Sequence, residues 1–146
     1  MTDAVIFDID GTLADITHRL HHIKKEPKDW DAFFAACPDD SPVIPIINLT
    51  HIFDAMGFKI LLVSGRSNKV VGETANWLMK HKVKFQSLYM REDGDHRPDY
   101  VIKEEILDGL IGDGFVIRYV VDDRTSVVEM WRRRGLTCLQ CNSWEE

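Results

Sequence analysis

Five apolar runs punctuate the chain: Ala4–Phe7, Lys59–Val63, Phe85–Met90, Phe115–Val121 and Leu136–Gln140. Runs with no polar face predict strands buried on both sides. Between them the period lengthens. Leu13–Lys25 carries Leu13, Ile16, Leu20 and Ile23 at helical spacing, and Asp29–Ala36 reads as a short helix capped near Lys28 or Asp29. Val43–Met56 predicts a mostly buried helix ended by Gly57, and Asn68–His81 one with Val70, Val71, Ala75, Leu78 and Met79 inward. Pro98 fits the first turn of a helix bearing Val101, Ile102, Ile106, Leu107 and Leu110, and Thr125–Arg134 predicts another, ended by Gly135. Strands alternating with helices predict an α/β fold: a Rossmann-like, doubly wound parallel sheet of about five strands, helices on both faces. The length predicts a single domain, 1–146, and the space between the first polar strand end and the second strand allows only short helices, a small helical insert at about 14–42.

Three runs end on polar clusters: Asp8-Ile9-Asp10-Gly11-Thr12, Ser64-Gly65-Arg66 and Asp122-Asp123-Arg124. In open α/β sheets ligands bind beyond the carboxyl ends of the strands, so the clusters are expected to converge. Acids at the end of a buried strand are costly unless a cation or catalytic use offsets their desolvation and repulsion. Carboxylate, carbonyl and water ligands suit Mg²⁺. In such a site Asp8 can ligate and attack phosphorus, giving an acyl phosphate, while Asp10 protonates the leaving oxygen and later deprotonates water. Ser64 and Gly65 offer a hydroxyl and amides to phosphoryl oxygens. Lys103 is the candidate cation, Asp122 a further metal ligand, and Asp123 a ligand through water or an orienter of Lys103.

Composition narrows the setting. Eighteen Lys and Arg against 24 Asp and Glu give a net charge of −6, which excludes a generally basic nucleic-acid-binding surface. Three cysteines cannot all pair within the chain, which points to a reducing, cytoplasmic compartment. Cys138 and Cys141 form a C-x-x-C without a second Cys/His pair and read as ordinary cysteines. His18, His21 and His22 cluster without an acidic partner at ligand spacing and read as a solvated or substrate-facing helix. Arg132, Arg133 and Arg134 suit a solvated helix C-terminus. Trp30 and Phe33 read as core residues or, near a mouth, as contacts for a base. No signal peptide and no membrane span are expected.

The ordered set F-D-I-D-G-T, V-S-G-R, a downstream Lys and V-V-D-D-R resembles the haloacid dehalogenase superfamily of phosphohydrolases. The stretches 91–107 and 122–135 are similar to the 3′-phosphatase domain of bacteriophage polynucleotide kinases, a likeness running from Asp3 to about Gln140 and weakest over 23–45. It implies Asp8 as nucleophile, Asp10 as general acid/base, and Mg²⁺ on Asp8, the Asp10 main-chain carbonyl and Asp122. By motif position it adds Arg19, Ser64, Arg66, Asp99, Lys103 and Asp123 to the site. The phosphate-binding G-x-x-x-x-G-K-[ST] loop of a kinase is absent. The expected activity is removal of 3′-phosphate from DNA or RNA ends. A nucleotide or small-metabolite monophosphatase is the alternative, and a non-catalytic partner module of a separate kinase is disfavoured by the intact acids. Members of the superfamily often carry a cap domain, so the likeness implies that the insert at about 14–42 is a small helical cap; small-capped members can borrow a neighbouring subunit as a wall, so a homo-oligomer is compatible with the likeness.

Overall fold

The computed structural model describes residues 1–143. Five parallel strands form the sheet: β1 (Thr2–Phe7), β4 (Lys59–Ser67), β5 (Ser87–Arg91), β6 (Phe115–Asp122) and β7 (Cys138–Gln140), in the order β5-β4-β1-β6-β7. The remaining strands, β2 (Ala14–Asp15) and β3 (Ser41–Pro42), pair as a small antiparallel hairpin.

Alternation along β1 shows why the sheet is covered on both faces. Ala4 and Ile6 pack with Leu61, Val63, Leu107 and Leu110, and with Val127, Val128 and Trp131. Val5 and Phe7 point the other way, onto Ile47, Ile60, Leu62, Trp77 and Leu78. The first face is therefore covered by α4 (Asp99–Gly112) and α5 (Thr125–Arg133), the second by α2 (Ile44–Ala55) and α3 (Val71–Lys80). Each fully buried Leu, Ile or Phe contributes about 1.5–3 kcal/mol, which fixes the strand register and with it the strand-end residues.

Three expectations need correction. Leu13–Lys25 is not a helix: it supplies β2 and a 3₁₀ helix at Thr17–His22. The amides of Thr12, Leu13 and Ala14 all turn onto the Ile9 carbonyl, at 3.1, 2.9 and 3.0 Å. The Asp15 carboxylate then accepts from the Thr17 amide and hydroxyl, holding the chain in a turn rather than a regular helix. Next, α2 is not mostly buried: Ile47 and Thr50 are, while Ile44, Ile52 and Met56 are exposed, because the helix meets the sheet along a narrow stripe. Lastly, the inward face of α3 is Thr74, Trp77 and Leu78, with Val71 and Met79 outside, because Asn68–Val70 forms a 3₁₀ turn that rotates the helix start.

Residues 14–42, the stretch expected to form the cap, comprise β2, the 3₁₀ turn, α1 (Trp30–Ala35, capped by the Asp29 carboxylate on the Ala32 amide at 3.0 Å) and β3. Ile16, Ile23, Trp30, Phe33 and Phe34 from this stretch wall a cleft of about 710 Å³ beyond the strand ends.

Candidate active site

The polar clusters converge at the carboxyl edge of β1, β4 and β6. Lys103, on the second turn of α4, donates to Asp8 Oδ1 at 2.8 Å and Asp122 Oδ2 at 3.1 Å. Thr12 Oγ1 donates to Asp8 Oδ2 at 3.0 Å. Asp122 also accepts from the Trp131 indole at 3.0 Å and from the Asp123 amide at 2.8 Å. Buried carboxylate oxygens of Asp8, Asp122 and Asp123 lie within 4.8 Å of one another. Burial first, and Asp122 second, push the Asp8 carboxyl upward; burial and Asp8 do the same to Asp123. Burial opposes the Lys103 charge, but Asp122, Asp8 and Asp99 outweigh it and hold the ammonium well above its ordinary range.

One ammonium among three clustered carboxylates leaves room for a cation. All the donors are hard oxygens, the set that suits Mg²⁺. Gly11 lets the Asp123 carboxylate approach the chain closely: its φ is +82°, and a Cβ there would stand 1.9 Å from Asp123 Oδ2. Gly11→Ala is therefore expected to cost about 1–3 kcal/mol in backbone strain alone and to displace Asp123. Thermal melting with and without Mg²⁺ checks this, with a lower midpoint and a smaller metal-induced rise as the expected result.

A second cluster surrounds Asp10. Its Oδ1 accepts from Arg19 at 2.7 Å and from Arg66 Nε at 2.8 Å. Both guanidiniums also reach Asp40 Oδ2, at 2.8 and 3.1 Å, while Asp40 Oδ1 accepts from Arg19 Nε at 2.8 Å and lies 2.6 Å from His18 Nε2. The side chains of Arg19, Arg66 and Asp40 are fully buried and that of Asp10 is 19% exposed, so two cations and two anions balance beneath the cleft. Burial alone would raise the Asp10 carboxyl, but Arg66 and Arg19 outweigh it and hold it below the usual carboxylate range. Arg66 Nη1 donates to Thr74 Oγ1 and the Phe33 ring lies 4.4 Å from the Arg19 guanidinium carbon, which fixes both forks.

Among the expected site residues, Asp8, Asp10, Gly65, Asp99, Lys103, Asp122 and Asp123 line the cleft. Arg19 and Arg66 instead grip Asp10 from behind. Ser64 is wholly buried, its hydroxyl accepting from the Arg66 amide at 3.1 Å. Asp99 opens α4, accepting from Arg91 and, at 2.8 Å, from Arg124; a Cβ on Gly65 would come within 2.6 Å of it. His18 finds its acidic partner in Asp40, 22 residues away.

Sequence reasoning missed Asp40, Arg91, Arg124, Thr12 and Trp131. Thr12 and Arg124 sit inside the quoted motifs, and Arg91 and Trp131 inside the quoted stretches 91–107 and 122–135, and could have been found there, although Trp131 by itself reads as a core residue. Asp40 stands in an unremarkable C-P-D-D-S-P turn. Cys138 is buried in β7, while Cys141 Sγ lies 3.6 Å from Thr12 Oγ1. Among the described residues, the Asp8–Asp122–Asp123 group alone brings three potential metal-binding side chains of His, Cys, Asp or Glu together.

The parallel sheet with paired acids at one strand end, a serine-glycine turn at the next and a lysine bridging to a third defines a phosphatase of the haloacid dehalogenase type. The family described as "Polynucleotide kinase PNKP phosphatase domain" matches residues 2–145, and the chain belongs to it. A "Putative bifunctional polynucleotide kinase/RNA ligase" of Autographa californica nuclear polyhedrosis virus is 33% identical over 131 residues, 88% of this chain and 18% of that protein. A chain in "Structure of Pnkp1/Rnl/Hen1 complex" superposes with a TM-score of 0.86 at 30% identity, covering all of this chain and 48% of that one. Class C acid phosphatase from Bacillus anthracis, with tungstate bound, shares the fold at a TM-score of 0.62 and 16% identity, over 84% of this chain and 52% of that one. The chain thus spans under a fifth of the viral relative and about half of each solved chain.

Proposed function

We propose that this domain removes the phosphate from 3′ ends of nucleic acid, in RNA repair, through an aspartyl-phosphate on Asp8 with Mg²⁺ bound. Its fold is read as one phosphatase domain whose cap is residues 14–42. The observation that carries the chemistry is the Lys103 bridge between Asp8 and Asp122, with Asp10 gripped beside it by two arginines. The substrate class is supported by family membership and by a cleft far roomier than a phosphoryl group needs.

Asp8, Asp122 and Asp123, with the Asp10 carbonyl implied by the resemblance, would hold Mg²⁺. When bound, it neutralises charge on the phosphoryl oxygens. Arg66 and Arg19 favour the ionised form of Asp10 in the free domain, so Asp10 takes up a proton as the anionic phosphoester enters beside it. Asp8 then attacks phosphorus, the bond to the 3′ oxygen breaks, and Asp10 gives that oxygen its proton. Water then attacks the acyl phosphate, Asp10 takes a proton from it, and inorganic phosphate leaves with Asp8 restored. Lys103 holds the Asp8 carboxylate in line throughout, and Arg19 and Arg66 fix the direction of Asp10. Three cysteines, an odd number, support a reducing, cytoplasmic setting. No helix among the described residues is long and apolar enough to cross a membrane.

The test compares kcat/KM for a 3′-phosphorylated oligoribonucleotide with that for 3′- and 5′-mononucleotides, with Mg²⁺. The oligonucleotide is expected to lead by tenfold or more. Faster turnover of mononucleotides would turn the reading to a general monophosphatase. Chelation by EDTA is expected to abolish turnover, and added Mg²⁺ to restore it.

A further inference from the structure

A phosphoryl group fills a small part of the main cleft, and the remaining wall is aromatic. Trp30 stands at the first position of α1 and is 41% exposed, although tryptophan normally buries most of its surface. Its ring is supported rather than loose. Phe34 stacks on it at 6.0 Å and Phe33 meets it edge-on at 5.7 Å. Phe33 in turn lies on Arg19, which grips Asp10. The exposed ring is thereby tied through a continuous run of contacts to the site chemistry.

Trp30 also borders a second, adjoining cleft of about 500 Å³, walled by Lys25 and Lys28 and also by the acids Glu26, Asp29 and Asp31, of which Asp29 is engaged in capping α1 and Asp31 lies 3.9 Å from Lys69. Both lysines are exposed, and among the described residues neither has an ion-pair partner within 4.0 Å. Lys28 Nζ sits 5.9 Å from the Trp30 ring centroid, at the outer reach of a cation–π contact. Elsewhere the cleft floor is acidic and the chain carries a net charge of −6, so a long basic track for phosphates is absent. Stacking needs no such track, because every base offers a π face.

We propose that the 3′-terminal base of a single strand stacks on Trp30, and that the preceding phosphodiester passes over Lys25 and Lys28 in the second cleft. This rests on the 3′-phosphatase reading and adds the site that selects a polynucleotide end over a bare phosphoester. Trp30 is the partition: terminal nucleoside on one side, the next nucleotide on the other. The grip covers the last two nucleotides, so longer strands gain little.

The experiment measures kcat/KM on three 3′-phosphorylated substrates: an oligonucleotide, the same strand with an abasic terminal residue, and a 3′-mononucleotide. In the wild type, the base-bearing end is expected to lead the abasic end by about tenfold or more. Trp30→Ala is expected to bring that ratio close to one, and Trp30→Phe to keep most of it. Lys25→Gln/Lys28→Gln, a surface change with little effect on folding, is expected to cut the oligonucleotide-to-mononucleotide ratio severalfold. A Trp30→Ala protein that keeps the wild-type ratio overturns the stacking site. A double lysine variant that keeps its ratio overturns the path over the second cleft, and remains decisive if Trp30→Ala does not fold. If the wild type itself turns over mononucleotides faster than oligonucleotides, the 3′-end reading fails first, and the two failures are told apart.

Discussion

Asp8→Asn is expected to lower kcat on a 3′-phosphorylated oligonucleotide by about 10⁴-fold or more, equivalent to at least about 5 kcal/mol of barrier. The amide has no charged oxygen to attack phosphorus. The fold is expected to survive, because the change removes one of three crowded carboxylates and leaves Lys103 paired with Asp122. Metal-free Asp8→Asn should therefore melt no lower than the metal-free wild type, while losing much of the rise that Mg²⁺ brings. Kinetics and melting on the same preparation check both halves. A variant that melts early and is inactive would show only that Asp8 is needed for folding.

Asp40→Ala is expected to have the second largest effect, and on both properties at once. Asp40 is the counter-charge shared by Arg19 and Arg66, and all three side chains are fully buried. Removing one partner of a buried ion cluster costs about 3–5 kcal/mol, because the remaining charges keep their desolvation penalty. At about 2–4 °C per kcal/mol for a chain near this size, the melting midpoint is expected to fall by roughly 10 °C. The forks that aim Asp10 would also lose their anchor, so kcat is expected to drop about 10²-fold with little change in KM. Asp40→Asn keeps the shape and some hydrogen bonds, and is expected to recover part of both losses. A cycle with Arg19→Ala gives the coupling: the double variant should be far better than the sum of the singles, since it removes charge from both sides.

The two residues mark where the sequence was legible and where it was not. Asp8 announces itself because an apolar run with no polar face ends on an acid, and such a residue needs a reason. Asp10, Ser64 and Asp122 share that signature, and β1, β4 and β6 lie side by side as the ligand-binding rule for α/β sheets expects. The two-sided burial of β1 also followed from its composition alone. Asp40 carries no such signature. Its role arises when β3 pairs with β2 and brings it beneath Asp10, and two-residue strands leave no periodicity to read. The helical spacing of Leu13, Ile16, Leu20 and Ile23 misled because 3₁₀ turns also place residues three apart on one side. Trp131 was hidden for another reason: its ring belongs to the core, and only its indole nitrogen touches Asp122.

The central claim is that Asp8 takes the phosphoryl group from a 3′ end. It is tested most directly by a single-turnover experiment with an oligoribonucleotide radiolabelled in its 3′-phosphate, quenched in acid at short times with Mg²⁺ present. The account predicts label on the protein that rises and then decays into inorganic phosphate, mapping to the peptide that contains Asp8 and absent from Asp8→Asn. Label on a peptide lacking Asp8, or an Asp8→Asn protein that releases inorganic phosphate as fast as the wild type, would contradict it.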